Sequence, residues 1–154
     1  MKESIFNFEF IKLIRPIIQK ENYKLMKKYV HHKNISTYRH SIKVCYLVYL
    51  HVKKHNSNVD LNSIIRGALL HDYYLYDWHH KDKSHSLHGY KHPKFSLINA
   101  TKDYQNINNI EKDIIKHHLF PLTIIPPKTK EGWIVSWCDK LASISDYFRK
   151  KRSK

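Results

Sequence analysis

"ISTYRHSIKVCYLVYLHVKKH", residues 35–55, is the stretch that decides the fold. Ser36 or Thr37 can serve as an N-cap, and a wide apolar face follows. That face consists of Ile42, Val44, Cys45, Leu47, Val48 and Val52. His40 lies one turn before Val44, so it leans toward the same buried face, where a polar side chain needs a partner. The stretch therefore predicts a long central helix with a histidine in its buried part.

The chain on either side of this helix also has helical character. Helical periodicity covers residues 4–20, with a short helical segment at 22–31. Asp60 can cap a helix that runs into His71-Asp72, and Pro93 suits the first turn of another helix. Asn108 with Glu111 three residues later is a capping-box signature. A final helix, "EGWIVSWCDKLASISDYF", is predicted to turn Trp133, Ile134, Trp137, Leu141, Ile144 and Phe148 inward. These patterns predict an all-α, compact, single-domain helical bundle.

Composition limits the classes of function. The formal net charge is +15, but Lys and Arg are scattered and dense only in "FRKKRSK" at the end of the chain. No nucleic-acid-reading motif accompanies them, so nucleic acid is a possible but not a favoured partner. No run approaches the roughly 20 apolar residues of a membrane span, and no secretory signal is recognisable. We expect a cytoplasmic protein without membrane contact, with Cys45 and Cys138 as buried free thiols and an open oligomeric state.

The predicted helices carry an ordered set of metal-ligating residue types. Its members are His40, His71-Asp72, His92, His117-His118 and Asp139, separated by 31, 20, 25 and 21 residues. Each gap is about one helix-turn-helix unit, so successive helices could each bring one ligand position to a shared centre. Imidazole and carboxylate together suit iron, manganese or zinc better than calcium, which prefers oxygen alone.

This order of residues resembles the HD-domain metal-dependent phosphohydrolases, in particular the branch with two metal ions. The resemblance implies an all-helical HD-domain fold of the phosphodiesterase type over the single domain 1–154. Within it, residues 1–35 would be N-terminal helices, 36–149 the metal-binding core and 150–154 a basic tail. It implies one divalent ion on His40, His71, Asp72 and Asp139, and a second on His92, His117 and His118, with Asp72 placed to bridge. The sequence "HPKFS" fits the family pattern at His92, while His88 is the rival for that position.

The implied activity is hydrolysis of a small phosphorylated substrate by metal-activated hydroxide, and a nucleotide is the expected substrate. Asp72, His88 and Lys83 are the expected catalytic residues. Phosphate binding and leaving-group protonation could fall to Lys81, Lys83, His85 and His88 of the loop from about 77 to 91, or to Lys140. The chain departs from the family at "HDYYLYDW", which lacks the usual lysine after His-Asp. It also lacks the Gly-Tyr-Pro signature of cyclic-dinucleotide phosphodiesterases, so that substrate is disfavoured.

Other interpretations stay open. A single histidine is more often structural than a ligand, and no partner in the ordered set is found for His31, His32, His51, His55, His79 and His80. A mononuclear site would use only His40, His71, Asp72 and Asp139. A non-catalytic module would keep the HD scaffold and its metal, and would bind nucleic acid or a protein partner through its basic surface.

Overall fold

The computed structural model describes residues 2–32, 34–79 and 87–149. Seven α-helices and one small hairpin make up the regular structure of these residues. The helices are α1 (Lys2–Ile18), α2 (Glu21–Lys24), α3 (Thr37–His55), α4 (Leu61–Leu70), α5 (His88–Asp103), α6 (Asn109–His117) and α7 (Lys130–Arg149). A 3-10 turn (Leu25–Lys28) leads into antiparallel strands β1 (Val30–His32) and β2 (Ile35–Ser36). The prediction of an all-α fold is confirmed.

Local capping explains where three of the helices begin. The Ser36 hydroxyl accepts a hydrogen bond from the backbone N–H of Arg39, and the Asp60 carboxylate accepts one from that of Ser63. At α6 the Asn108 side chain accepts from the Glu111 N–H, and the Glu111 carboxylate accepts in return from the Asn108 N–H. Each cap satisfies N–H groups that a helix start leaves unpaired, and all three starts were predicted from the sequence.

The core lies among α3, α4, α6 and α7. Helix α4 packs against α3 and α6, and α7 packs against the same two helices, while α1 lies on α4 and α5 lies on α6. At the contact between α4 and α6, a Cβ added to Gly67 would lie 2.5 Å from Cδ1 of Ile114. Glycine therefore permits the close approach of these two helices. Cys45 and Cys138 are buried and form no disulfide, as predicted.

The prediction of which face of α7 points inward is wrong. Trp133, Trp137, Leu141, Ile144 and Phe148 are 42–59% exposed, and Ile134 is only partly buried. The face that packs on the core instead carries Val135, Ser136, Cys138, Asp139 and Ala142. These side chains are small, so α7 can lie close to its neighbours, whereas the large apolar residues form a stripe on the opposite side. An apolar stripe shows that a helix is amphipathic but does not by itself identify the side that meets the rest of the chain.

Two predicted boundaries also change. Residues 30–32 form a strand and not the end of a helix, because the chain leaves the 3-10 turn at Tyr29 and pairs Val30 with Ser36. Helix α5 begins at His88, earlier than the predicted loop boundary, so Pro93 lies inside it. The predicted basic tail 150–154 and residues 80–86 of the predicted loop lie outside the described residues. Within the described ranges, no helix combines the length and the apolar character that crossing a membrane requires.

Candidate metal centre

Five helices contribute polar side chains to one buried centre. His40 lies in the first turn of α3, and Asp139 lies in the middle of α7. The other members are His71 and Asp72 directly after α4, His92 in α5, and His118 directly after α6. Each of the six is 9% exposed or less. The structure thus brings together six of the seven residues in the predicted ligand set.

The first group of ligand atoms surrounds Asp139. Its Oδ1 lies 2.9 Å from Nε2 of His40 and 3.7 Å from Nε2 of His71. The same two nitrogens lie 3.8 and 3.4 Å from Oδ2 of Asp72. Ligand atoms of a transition metal lie about 2.0–2.2 Å from the ion, so two of them are at most about 4.4 Å apart. All four distances meet this limit.

The second group surrounds the other oxygen of Asp72. Oδ1 lies 3.0 Å from Nε2 of His92 and 3.4 Å from Nε2 of His118, and these two nitrogens are 3.1 Å apart. One carboxylate therefore stands between two groups of imidazoles, with one oxygen directed to each.

Hydrogen bonds to the backbone set the tautomer of three of these rings. Nδ1 of His71, His92 and His118 donates to the carbonyl oxygens of Ala68, His88 and Ile115 at 2.7, 3.1 and 2.9 Å. In a neutral ring, a protonated Nδ1 leaves Nε2 with a lone pair and no hydrogen. The Nε2 atoms of His92 and His118 thus present lone pairs to each other, an arrangement that a cation between them would stabilise. Metal-binding histidines are commonly oriented by such outer hydrogen bonds.

Several buried polar atoms at the centre are unsatisfied. Asp72 Oδ1 and His71 Nε2 have no hydrogen-bond partner within the described part of the chain. A buried polar group without a partner is costly, and a buried charge is more so. Both atoms face the gaps between the imidazoles and carboxylates, so a cation at these positions would satisfy both.

The electrostatics of the centre also favour a cation. Burial raises the pKa of Asp72 and of Asp139, but the facing imidazoles outweigh it and hold both pKa values well below the usual range. Burial lowers the pKa of His71, yet the two carboxylates more than offset it and the pKa is raised well above its usual value. Two buried anions therefore need positive charge beside them, whether from protons or from metal ions.

His117 is the predicted ligand that the structure does not bring to the others. Its Nδ1 lies 2.8 Å from Oδ1 of Asp113. The Asp113 carboxylate also accepts hydrogen bonds from two backbone N–H groups, that of Lys128 at Oδ1 and that of Thr129 at Oδ2. Among the described residues, no hydrogen bond, ion pair or ring contact joins the His117 ring to the six-residue centre. A role for His117 as a ligand stays a prediction.

The predicted substrate-contacting residues have different surroundings. His88 is partly buried beside His92, with its ring stacked on Trp78 and its Nδ1 2.8 Å from the hydroxyl of Tyr76. The ammonium of Lys140 donates to the carbonyl of His118 and to Ser136, contacts that favour a structural role. Lys81, Lys83 and His85 lie outside the described residues.

His31 belongs to the centre although its sequence context indicated a structural residue. It lies on β1, and its ring stacks on that of His40 with centroids 3.8 Å apart. Its Nδ1 is 3.4 Å from Asp72 Oδ2 and 3.3 Å from the hydroxyl of Tyr74. No sequence signal could have found it, because the hairpin that positions it has no helical periodicity.

Asp146 was also missed. Its Oδ2 lies 3.8 Å from Nδ1 of His40, and it forms an ion pair with Lys43. It follows Asp139 by seven residues, so two turns of helix place both on one face of α7. That spacing was a usable signal.

Comparison with known proteins agrees with this geometry. The family model of the HD domain matches residues 37–144. No curated protein and no solved structure matches the chain. The HD-domain family consists largely of metal-dependent phosphohydrolases, which act on phosphorylated substrates. With most of its length matched and with a buried centre of histidines and aspartates, the chain belongs to the HD-domain family.

Proposed function

We propose that the protein is a metal-dependent phosphohydrolase that cleaves a phosphoester or phosphoanhydride of a nucleotide. The observation that carries the proposal is the position of Asp72, whose two oxygens face two separate groups of imidazole nitrogens. A carboxylate placed in this way is suited to bridge two cations.

The donor set supports the following division of ligands. His40, His71, Asp72 and Asp139 would hold one ion, and Asp72, His92 and His118 would hold the second, with His117 as a further predicted ligand of the latter. Divalent iron, manganese or zinc bound there would supply activation of a water molecule and neutralisation of phosphate charge.

The protein side chains contribute orientation and proton transfer. The backbone hydrogen bonds of His71, His92 and His118 hold three rings with Nε2 toward the centre, which lowers the cost of ordering them around a ligand. His88 lies next to His92 and is partly exposed, so we assign to it the protonation of the leaving group. Lys83, in the neighbouring loop, is the further candidate for contact with the phosphate.

Two features support a nucleotide as the substrate. The formal net charge of +15 favours anionic ligands. Beside the second group of ligands, Trp78 and His88 stack with ring planes 6° apart, and Tyr76 meets His88 edge-on. Aromatic surfaces of this kind can stack on a nucleobase.

A non-catalytic binding module is the second candidate, and the high net charge is the observation that favours it. In that case the metal would stabilise the scaffold, and the basic surface would bind nucleic acid. Such binding would depend on salt, since it releases counterions, and would be independent of Asp72.

The deciding experiment measures metal content and hydrolysis together. The purified protein is loaded with manganese, iron or zinc, its metal-to-protein ratio is determined, and a panel of nucleotides and simple phosphoesters is assayed. We expect two ions per chain in the wild-type protein. In Asp72→Ala the rate of hydrolysis should fall by more than the roughly 10- to 100-fold typical of losing a residue that hydrogen-bonds to a metal ligand.

Asp103→Asn is the matched control, because Asp103 accepts a hydrogen bond from Tyr73 outside the centre. It should keep wild-type metal content and rate. Wild-type protein that binds metal but hydrolyses none of the panel, with tight nucleic-acid binding unchanged by Asp72→Ala, would favour the binding module instead.

A further inference from the structure

His31 reaches the centre from a part of the chain that precedes the matched HD region. The family match begins at residue 37, whereas His31 lies on the first strand of the hairpin. Its side chain is 12% exposed, and its ring covers the ring of His40 in a nearly parallel stack, with planes 18° apart. The hairpin thus closes one side of the centre.

The ring nitrogen of His31 points to the same atom as that of His40. Nδ1 of His31 lies 3.4 Å and Nε2 of His40 lies 3.8 Å from Oδ2 of Asp72. The ligand atoms of these three residues all lie within 4.8 Å of one another. Two imidazole nitrogens and a carboxylate oxygen at these separations are a donor set for a transition metal.

The hydroxyl of Tyr74 completes the surroundings of this nitrogen. It lies 3.3 Å from Nδ1 of His31, on a residue that is itself fully buried. A phenol can donate or accept, so it can hold the ring of the metal-free protein in place whether or not Nδ1 carries a hydrogen, and this hydrogen bond would give way to an ion bound at Nδ1. The ring is thereby positioned by the stack on one side and by Tyr74 on another.

We propose that His31 is a further metal ligand, which binds through Nδ1 to the ion held by His40, Asp72 and Asp139. The inference rests on the proposed metal centre and extends it. His31, His40 and Asp72 form one group of ligand atoms, and His40, His71 and Asp139 form another, so the two groups share His40. If one ion drew both groups together, it would have five protein ligands, one more than a tetrahedral zinc site accepts. The position therefore suits manganese or iron with six ligands, and one place is left for water or substrate.

The test compares two adjacent histidines of the hairpin. His31→Ala removes the proposed ligand, and His32→Ala removes its exposed neighbour, whose ring touches that of His31 edge-on. Manganese affinity is measured by titration calorimetry, and the coordination number is followed by the visible absorption of the cobalt-loaded protein.

We expect His31→Ala to bind manganese at least about 10- to 100-fold more weakly. Loss of a ligand should weaken metal binding no less than loss of a residue that only hydrogen-bonds to a ligand. Its cobalt spectrum should change toward a lower coordination number. His32→Ala should match the wild type in both measurements. If His31→Ala keeps the wild-type affinity and spectrum, the inference is overturned while the metal centre stands.

A measurement on the wild-type protein covers the case in which His31→Ala does not fold. Cadmium, a diamagnetic ion that accepts six ligands, is added to protein with nitrogen-15-labelled histidine, and the ring nitrogens are followed by NMR. A metal-induced shift of Nδ1 of His31 comparable with those of Nε2 of His40 and His71 supports the inference, and an unshifted Nδ1 contradicts it. Wild-type protein that binds no metal at all would overturn both this inference and the proposed function.

Discussion

At the scale of single residues, the orientation of His40 depends on a carboxylate that does not reach the centre itself. Nδ1 of His40 and Oδ2 of Asp146 face each other at 3.8 Å, and neither has a hydrogen-bond partner within the described residues. A carboxylate hydrogen-bonded to the outer nitrogen of a metal-binding histidine fixes its tautomer and increases its basicity, whereas at 3.8 Å Asp146 acts on His40 through its negative charge. We interpret Asp146 as a positioning residue for His40.

Asp146→Asn should therefore weaken metal binding by up to about 10- to 100-fold with little change in the fold, because the neutral amide removes the negative charge that faces Nδ1 of His40. Titration of manganese into the variant measures the effect. Lys43→Met is the matched control, since it removes the ion-pair partner of Asp146 and keeps the carboxylate. If both variants lose the same manganese affinity, the ion pair between Asp146 and Lys43, and not the contact of Asp146 with His40, supports metal binding.

At the scale of helices, the close contact of α4 with α6 positions two ligands. Gly67 lies one turn before His71, and Ile114 lies one turn before His118. The rings of these two histidines meet edge-on, with centroids 4.8 Å apart. The distance between the helices at Gly67 thus sets the distance between ligands of the two groups.

Gly67→Ala should destabilise the fold by about 1 kcal/mol or more, because overpacking outweighs the roughly 1 kcal/mol gain in helix propensity. It should also weaken metal binding by moving His71 away from His118. Denaturant unfolding and metal titration measure the two effects.

The control is Ile114→Val, which removes the Cδ1 atom that lies 2.5 Å from the added Cβ. In the double variant the costs should be less than additive, because the smaller side chain makes room for the methyl group. Strict additivity would mean that the added methyl group is accommodated elsewhere.

Helix starts could be predicted from the sequence, whereas the packing of one helix on another could not. The starts of α3, α4 and α6 follow from Ser36, Asp60 and the Asn108–Glu111 box, which act within four residues of chain. The face of α7 that packs inward depends on neighbours far along the chain, so its exposed apolar stripe was mistaken for the core face. His31 was missed for the same reason, since a hairpin and not a helix repeat brings it to Asp72.

At the scale of the whole molecule, the centre joins the helices that form the core. Ligands of one ion would come from α3, α7 and the end of α4, and those of the other from α5 and the end of α6, with Asp72 at the end of α4 shared by both. A ligand that binds only the folded state stabilises it, by about 2.7 kcal/mol at a concentration of 100 times its Kd.

Saturation with manganese should accordingly raise the Tm by about 5–10 °C over the chelator-treated protein, given the size of the domain. Scanning calorimetry with and without manganese measures the change. Calcium is the ionic control and should have little effect, because it prefers oxygen ligands. A Tm that rises equally in Asp72→Ala would place the stabilising ion elsewhere.

The centre also has a consequence for the order in which the protein is assembled. Its members extend from His31 on the hairpin to Asp139 on α7, so no short stretch of the growing chain contains a complete ion-binding set. Uptake of the ion held by His40, His71, Asp72 and Asp139 would have to follow the docking of α7, late in folding. Which ion the protein acquires would then depend on the metals it meets after synthesis, and exchange of that ion would require the packed helices, or the small hairpin, to open.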